Sequence, residues 1–364
     1  MADSFIKLTR GVPAPESFPA SQLIECAQAV LSGSETGAVL QYGPVGGYLP
    51  LRQHIAQEAG VEEKRIIIGQ GSLHLQDMVA KLLLKPGDLV YVEEPSYDRT
   101  ITLLRRAQAR VAGIALEADG IDISALEKRL KAGERPVLFY LIPDFQNPSG
   151  SVLSLEKRQR VVALAEEYGF WIIEDSPYRR LRYKGNEISS IFGLSPGRVM
   201  KMSSYSKLIA PGLRVGYVIT PPEIVASLTQ YAEDTYITPS YLNQAIVIEF
   251  IRRGWLETNL EKLKALYAPR LESMLAALAS SMGELATWSK PEGGFFIGLT
   301  LKARVNASEL LARANQANLG LTDGRGFFVS GGGDGFVRLP FCALTQEEIT
   351  EGIGRLAEIV RESG

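Results

Sequence analysis

The chain has 364 residues, 46% of them hydrophobic and 22% charged, with 39 Lys and Arg against 41 Asp and Glu for a formal charge of −2 at pH 7. This is the composition of a folded globular protein long enough for one large domain and a smaller one, and it excludes the disordered and fibrous classes. No basic field is available for nucleic acid or anionic membrane, and no apolar run reaches the roughly 18 residues of a membrane span.

The two cysteines, Cys26 and Cys342, are far apart, and the two histidines, His54 and His74, sit in no paired ligand spacing. A disulfide framework, a thiolate metal site and a His-based triad are therefore unsupported, and both thiols are expected to be buried. The start, MADSFIKLTRGVPAP, has no apolar stretch behind a basic end. Small-molecule partners and a cytoplasmic setting are expected.

In chain order, the first helical pattern is SQLIECAQAVLSG, too isolated to bury its apolar face alone. Residues 1–40 are therefore read as a segment docking on the smaller lobe. From about residue 64, short apolar runs alternate with helical patterns: RIIIG, SLHLQDMVAKLLL, DLVYVEEP, RTITLLRRAQ, RVAGIAL. That alternation predicts an α/β domain, assigned to residues 41–260. Its clearest unit is LEKRQRVVALAEEYG, a helix stopped at Gly169, followed by FWIIED, a buried strand ending at Asp175. After about residue 240 helical pattern dominates, with short strands around GGFFIGLTL and GFVRLPF and a final amphipathic helix. Residues 261–364 are assigned to a smaller α+β domain.

Several polar motifs fall where strands end, the edge at which open α/β sheets bind ligands. In MKMSSYSKLIAPGLRVGYVI, residues 200–219, Ser204, Ser206 and Arg214 offer two hydroxyls and a guanidinium to a phosphate dianion, with Lys207 placed to form an imine with an attached aldehyde. Taken alone, such a stretch is more often a solvated turn. In GQGSLHLQ, Gly71, Ser72 and Leu73 open a helix whose free amides favour an anion, although an ordinary Ser N-cap reads equally well. In YLIPDFQNPSG, Asn147 precedes a proline and projects from a strand end. In IIEDSPY, a buried Asp175 needs a cationic partner, and a protonated pyridine nitrogen is one.

The ordered set NPSG, EDSPY and SSYSK followed by Arg214 is similar to fold-type I pyridoxal-phosphate aminotransferases, and QYGPVGGYLPLR resembles their aminoadipate/kynurenine-type branch. The resemblance extends over almost the whole chain, through PESFP, EEPSY and VRLPF in the same order. It implies a large domain with a mainly parallel seven-stranded sheet flanked by helices, plus a smaller α+β domain formed by both termini. It implies pyridoxal 5′-phosphate bound as a Schiff base to Lys207, with Asp175 on the pyridine nitrogen. Asn147 and Tyr178 are implied on the phenolic oxygen, Tyr97 stacked on the ring, and Gly71, Ser72, Leu73, Ser204, Ser206 and Arg214 on the phosphate. Tyr42 is implied to reach the phosphate from the neighbouring subunit of a homodimer. Arg338, with Asn147, is implied to bind the substrate α-carboxylate, and Arg10, Gly11 and Val12 to lie over the substrate side chain. Upstream of Arg338, GRGFFVSGGGDG departs from the family's usual proline-glycine turn.

The implied activity is ping-pong transfer of an amino group from an L-amino acid to a 2-oxo acid, with 2-oxoglutarate the expected acceptor and Lys207, Asp175 and Tyr97 the catalytic set. Rival outcomes of the same chemistry are β-elimination and decarboxylation. A sensing role of the kind found in regulators fused to DNA-binding domains is less expected, because the first motif begins near residue 8 and the charge is not basic.

Overall fold

The computed structural model describes residues 4–9 and 11–362. Arg10, one of the residues implied to contact substrate, lies outside the described residues.

The runs IIIG, LVYVEE, LFYL and WIIED are almost continuously apolar and buried on both faces, as strands between two layers of helices must be. They join one sheet in the order Ile66–Gly69, Gly216–Ile219, Val199–Ser204, Trp171–Asp175, Leu138–Leu141, Leu89–Glu94, Arg110–Glu117, Gly120–Ile121. The five strands from Val199–Ser204 to Arg110–Glu117 are parallel, and Gly216–Ile219 runs antiparallel to both of its neighbours. The expected seven strands are present. The eighth is a two-residue return that pairs back antiparallel on Arg110–Glu117, with Gly120 at φ +113°.

The helix–strand unit around Gly169 forms as its sequence dictates. Ser154 caps helix Leu155–Tyr168 by accepting from Lys157 N, and Gly169 ends it in the left-handed conformation at φ 80°. The strand Trp171–Asp175 follows and stops at Asp175.

A second, antiparallel sheet consists of Ala286–Trp288, Phe296–Leu301 and Phe336–Pro340. Helices Trp255–Ser281 and Gln346–Arg361 pack together beside it, the latter started by a capping box between Thr345 and Glu348. Ile6–Leu8 pairs in parallel with Leu319–Leu321, so both termini build this lobe.

The N-terminal segment nevertheless does not dock as one piece. Its strand joins the small lobe, whereas helix Ala20–Ser32 packs on helix Tyr241–Arg252. That second helix is tied to the large body: Gln244 Oε1 accepts from Tyr48 N at 2.8 Å, and Asn243 Nδ2 donates to the Leu213 carbonyl at 3.0 Å. The 27-residue helix Trp255–Ser281 then bridges the lobes. Asn259 donates to the Leu208 carbonyl at its start, and Arg270 donates to the Cys342 carbonyl and Glu16 further on. A division of the chain near residue 260 thus runs through a continuous helix rather than a linker. Among the described residues no helix is long and apolar enough to cross a membrane.

Candidate active site

Because the parallel strands share a direction, their carboxyl ends lie along one edge, and the residues just beyond them converge there. Asp175 ends one strand and Ser204 another, Tyr97 follows Leu89–Glu94, and Asn147 follows Leu138–Leu141. Arg214 precedes the antiparallel strand and so reaches the same edge. The convergence forms a cavity of about 490 Å³, a size suited to a small organic ligand. Its lining includes Gly11, Val12, Gly71, Ser72, Leu73, Tyr97, Asn147, Asp175, Tyr178, Ser204, Ser206, Lys207, Arg214 and Arg338. Tyr42 is absent from it, standing 73% exposed on the surface.

At one end of the cavity, helix Ser72–Leu83 begins with its free amides beside Ser204, Ser206 and Arg214. Gly71 holds φ +87°, and a Cβ there would come within 2.6 Å of Arg214 Nη2. Only glycine lets that guanidinium lie against the turn, where Nη2 donates to the Gln70 carbonyl at 2.8 Å. Three kinds of donor, amide, hydroxyl and guanidinium, thus belong to the lining of one cavity.

At the centre, Lys207 Nζ donates to the Gly11 carbonyl at 3.1 Å and sits 5.6 Å from the Phe295 ring centroid. It has no carboxylate partner among the described residues, and burial pushes its ammonium below the usual lysine range. The same lining includes Asp175, whose Oδ2 accepts from Gln76 Nε2 at 2.8 Å and from the Tyr140 hydroxyl at 2.7 Å. Its Oδ1 is buried with no partner, and burial pushes the carboxyl up to about 6. Tyr178 is held edge-on to Phe296 with ring centroids 5.8 Å apart, and burial keeps its phenol well above its ordinary range.

At the other end, Arg338 is buried between the Phe296 and Phe327 rings, 5.0 and 4.8 Å from their centroids. Its hydrogen bonds go to neutral oxygens, Asn147 Oδ1 at 3.0 Å and the Thr9 carbonyl at 2.7 Å, and its Nε has no partner. With Oδ1 committed to Arg338, the amide nitrogen of Asn147 is left to donate elsewhere. The GRGFFVSGGGDG segment is shaped by Glu94, whose Oε1 accepts from Val329 N and Ser330 N at 2.7 and 2.8 Å, and by three successive glycines, 331 to 333, at positive φ.

Sequence reasoning missed Gln76, Tyr140, Thr9 and Phe296. Gln76 follows Ser72 by four residues and so shares its helix face, a spacing that could have pointed to it. Tyr140 had no such signal within an apolar strand. His74 is structural: its Nδ1 accepts from Gln70 N and its ring meets Tyr236 edge-on. Both cysteines are buried free thiols. A larger groove of about 1240 Å³ lies between the lobes, and most of its acids are already engaged, Glu117 and Asp119 by Lys157, Glu292 by Arg182 and Glu94 by backbone.

Residues 4–356 match the family described as Aminotransferase class I and II. The chain is 36% identical over 357 residues to the 2-aminoadipate transaminase of Thermus thermophilus, covering 96% of this chain and 89% of that one. It is 32% identical over 368 residues to aromatic-amino-acid aminotransferase 1 of Thermococcus litoralis, covering 98% and 88%. The crystal structure of an α-aminoadipate aminotransferase from Thermus thermophilus, complexed with N-(5′-phosphopyridoxyl)-L-leucine, superposes with a TM-score of 0.93 at 34% identity, over 98% of this chain and 92% of that one.

Proposed function

We propose that this chain, which belongs to the class I and II aminotransferases and is an enzyme of the pyridoxal-phosphate type, moves the amino group of a larger L-amino acid onto 2-oxoglutarate. The observation that carries the reading is one cavity holding a half-buried lysine without an acid partner among the described residues, a buried arginine bonded to neutral oxygens, and a carboxylate with one bare oxygen.

The residues fit the cofactor. Asp175 Oδ1 lacks the N–H donor that a protonated pyridine nitrogen would supply, and the Gly71 turn with Ser72, Leu73, Ser204, Ser206 and Arg214 forms a cradle that suits a phosphate. Asn147 and Tyr178 would hold the phenolic oxygen, and Tyr97 would cover the ring. When bound, pyridoxal 5′-phosphate supplies an aldehyde that condenses with amines and a ring that withdraws electrons from the adjoining carbon.

The chain's own groups do the rest. Lys207 is the nucleophile and the proton carrier: burial favours its neutral amine, which takes the proton from the substrate α-carbon at Nζ. Arg338 grips the carboxylate shared by amino acid and 2-oxo acid, so one pocket serves both half-reactions. That grip disfavours decarboxylation, since loss of carbon dioxide would remove the charge the site binds. Val12, Ile142 and Phe296 give the cavity an apolar wall, and the exposed Arg99 on its lining is the cation available to a second carboxylate. This suits donors such as those for which the relatives are named.

The assembly is proposed to be a homodimer in the cytoplasm. Ile24, Leu31, Leu40, Tyr42 and Leu49 expose large apolar side chains in one stretch of sequence, a surface suited to a second copy that would bring Tyr42 to the partner's phosphate cradle.

The test is the visible spectrum of the cofactor-loaded protein with each member of an L-amino-acid panel and no acceptor. Bleaching with stoichiometric 2-oxo acid is the expected result. Release of ammonia or carbon dioxide instead would replace amino transfer with elimination or decarboxylation.

A further inference from the structure

Four residues from four different elements meet behind the cavity's acid. Thr100 lies on helix Asp98–Arg106, Gln76 on helix Ser72–Leu83, and Tyr140 and Asp175 on neighbouring strands. Their exposures are 3%, 4%, 0% and 4%, so water does not compete for their bonds. The Thr100 hydroxyl donates to Gln76 Oε1 at 2.6 Å, which leaves the Gln76 amide nitrogen to face Asp175. Gln76 Nε2 and the Tyr140 hydroxyl both donate to the same carboxylate oxygen, Oδ2, at 2.8 and 2.7 Å. The other oxygen, Oδ1, is buried without a partner.

We propose that Gln76, oriented by Thr100, and Tyr140 are positioning residues that hold Asp175 ionised with Oδ1 bare, and thereby keep the ring nitrogen of bound pyridoxal phosphate protonated. The inference rests on the assignment of Asp175 to that nitrogen. Two donors to a carboxylate favour its charged form, and aiming both at one oxygen reserves the other for an incoming N–H. Neither donor carries charge: an amide does not titrate, and burial holds the Tyr140 phenol well above its ordinary range. The other groups that feel Asp175 are Glu93, Tyr97 and Tyr178. Glu93, pushed up to about 8 by burial, is predominantly protonated at pH 7, and both phenols stay neutral there. The bare oxygen therefore sits in a predominantly neutral surround that a cationic ring would complement.

The experiment loads wild type, Gln76→Leu, Tyr140→Phe, Thr100→Val and Asp175→Asn with ring-¹⁵N-labelled pyridoxal phosphate, and reads the ring-nitrogen chemical shift by NMR and cofactor affinity by fluorescence titration. Wild type is expected to show a protonated nitrogen. Gln76→Leu and Tyr140→Phe are each expected to move the shift toward the unprotonated value and to weaken binding about 10- to 100-fold, the range for a lost hydrogen bond to a charged group. Thr100→Val should act in the same direction, more weakly, and add little on top of Gln76→Leu, because both work through one amide. A protonated nitrogen and unchanged affinity in both Gln76→Leu and Tyr140→Phe would overturn the proposal. Tyr140→Phe keeps the ring and its packing, so it decides the matter even if Gln76→Leu folds poorly. If Asp175→Asn itself leaves the shift unchanged, the assignment of Asp175 fails and takes this inference with it. If Asp175→Asn moves the shift while the other variants do not, this inference alone fails.

Discussion

Replacing Asp175 by Asn should stabilise the cofactor-free protein while weakening its hold on the cofactor. Burial raises the Asp175 carboxyl from an ordinary 3.8 to about 6. Between those values the folded chain holds more protons than the unfolded one, so stability falls as pH rises from about 4 to about 6 and stays lower above. The rise corresponds to about 3 kcal/mol at ~1.36 kcal/mol per tenfold change in proton affinity. Asn keeps an oxygen for Gln76 and Tyr140 but sets an NH₂ where Oδ1 was bare, and an unmatched amide there costs about 1 kcal/mol or more. The variant should therefore gain about 1–2 kcal/mol at pH 7.5. Urea denaturation of the cofactor-free proteins at fixed concentration, from pH 4 to 8, reads the difference. A gap that opens between pH 4 and 6 is expected. A variant less stable at pH 7.5, or a gap independent of pH, would refute the claim that burial of this carboxylate outweighs its two hydrogen bonds.

Arg338→Lys should lower kcat/KM about 10- to 100-fold for donor and acceptor alike, because an ammonium cannot reproduce the two-pronged grip; an effect confined to one half-reaction would show that the two substrates do not share this arginine. The rate of the donor half-reaction should rise with pH along a limb governed by Lys207, at a midpoint below the ordinary lysine value of about 10.4, since burial lets the neutral, working amine accumulate at lower pH. A flat profile from pH 5.5 to 9.5 (roughly the usable range) would remove Lys207 as the base. Mixing Tyr42→Ala subunits with Lys207→Ala subunits, each nearly inactive alone, should restore about a quarter of wild-type activity, because half of the randomly formed dimers then carry one complete site. No recovery in subunit-exchanged mixtures would place Tyr42 outside the partner's site.

Much of the large domain was legible because its strands and helices keep clean periods: Trp171–Asp175 is bounded by Gly169 and by the break at Ser176–Pro177, and both punctuate as their chemistry requires. The division of the N-terminal segment was not legible. Helix Ala20–Ser32 has an apolar face, but amphipathicity says that a helix must dock and not on what. Within the site, the motifs pointed to residues most of which line the cavity, and left out those that act on other residues. EDSPY holds two adjacent acids, and periodicity alone sends them to opposite faces without saying which is which. Glu174 turned out to cap the short helix Ile191–Leu194, accepting from Ile191 N and Phe192 N, whereas Asp175 faces the cavity. Gln76 and Tyr140 were hidden for the same reason: a side chain that serves a neighbour from another element leaves no local spacing to read.

The cavity's uncompensated groups describe its ligand by complement. Pairing Lys207, Asp175 and Arg338 with one another would be the cheaper arrangement for a folded chain, since a buried charge without a partner lowers stability. The fold prevents it by giving each a neutral restraint instead: the Gly11 carbonyl for Lys207, Gln76 and Tyr140 for Asp175, Asn147 and Thr9 for Arg338. Gly11 shows how tightly this is built, for a Cβ at that position would come within 2.1 Å of the Phe296 ring edge, and relieving the clash would shift the carbonyl that Lys207 reaches. A ligand satisfying all three must present a cationic N–H, a group that accepts an amine, and a carboxylate, with an anion at the Gly71 turn. A cofactor alone meets the first, second and fourth demands, and only an amino acid joined to it meets the third. On the proposed reading, the stability withheld from the empty protein would be recovered in two steps, first when the cofactor binds and again when the substrate does.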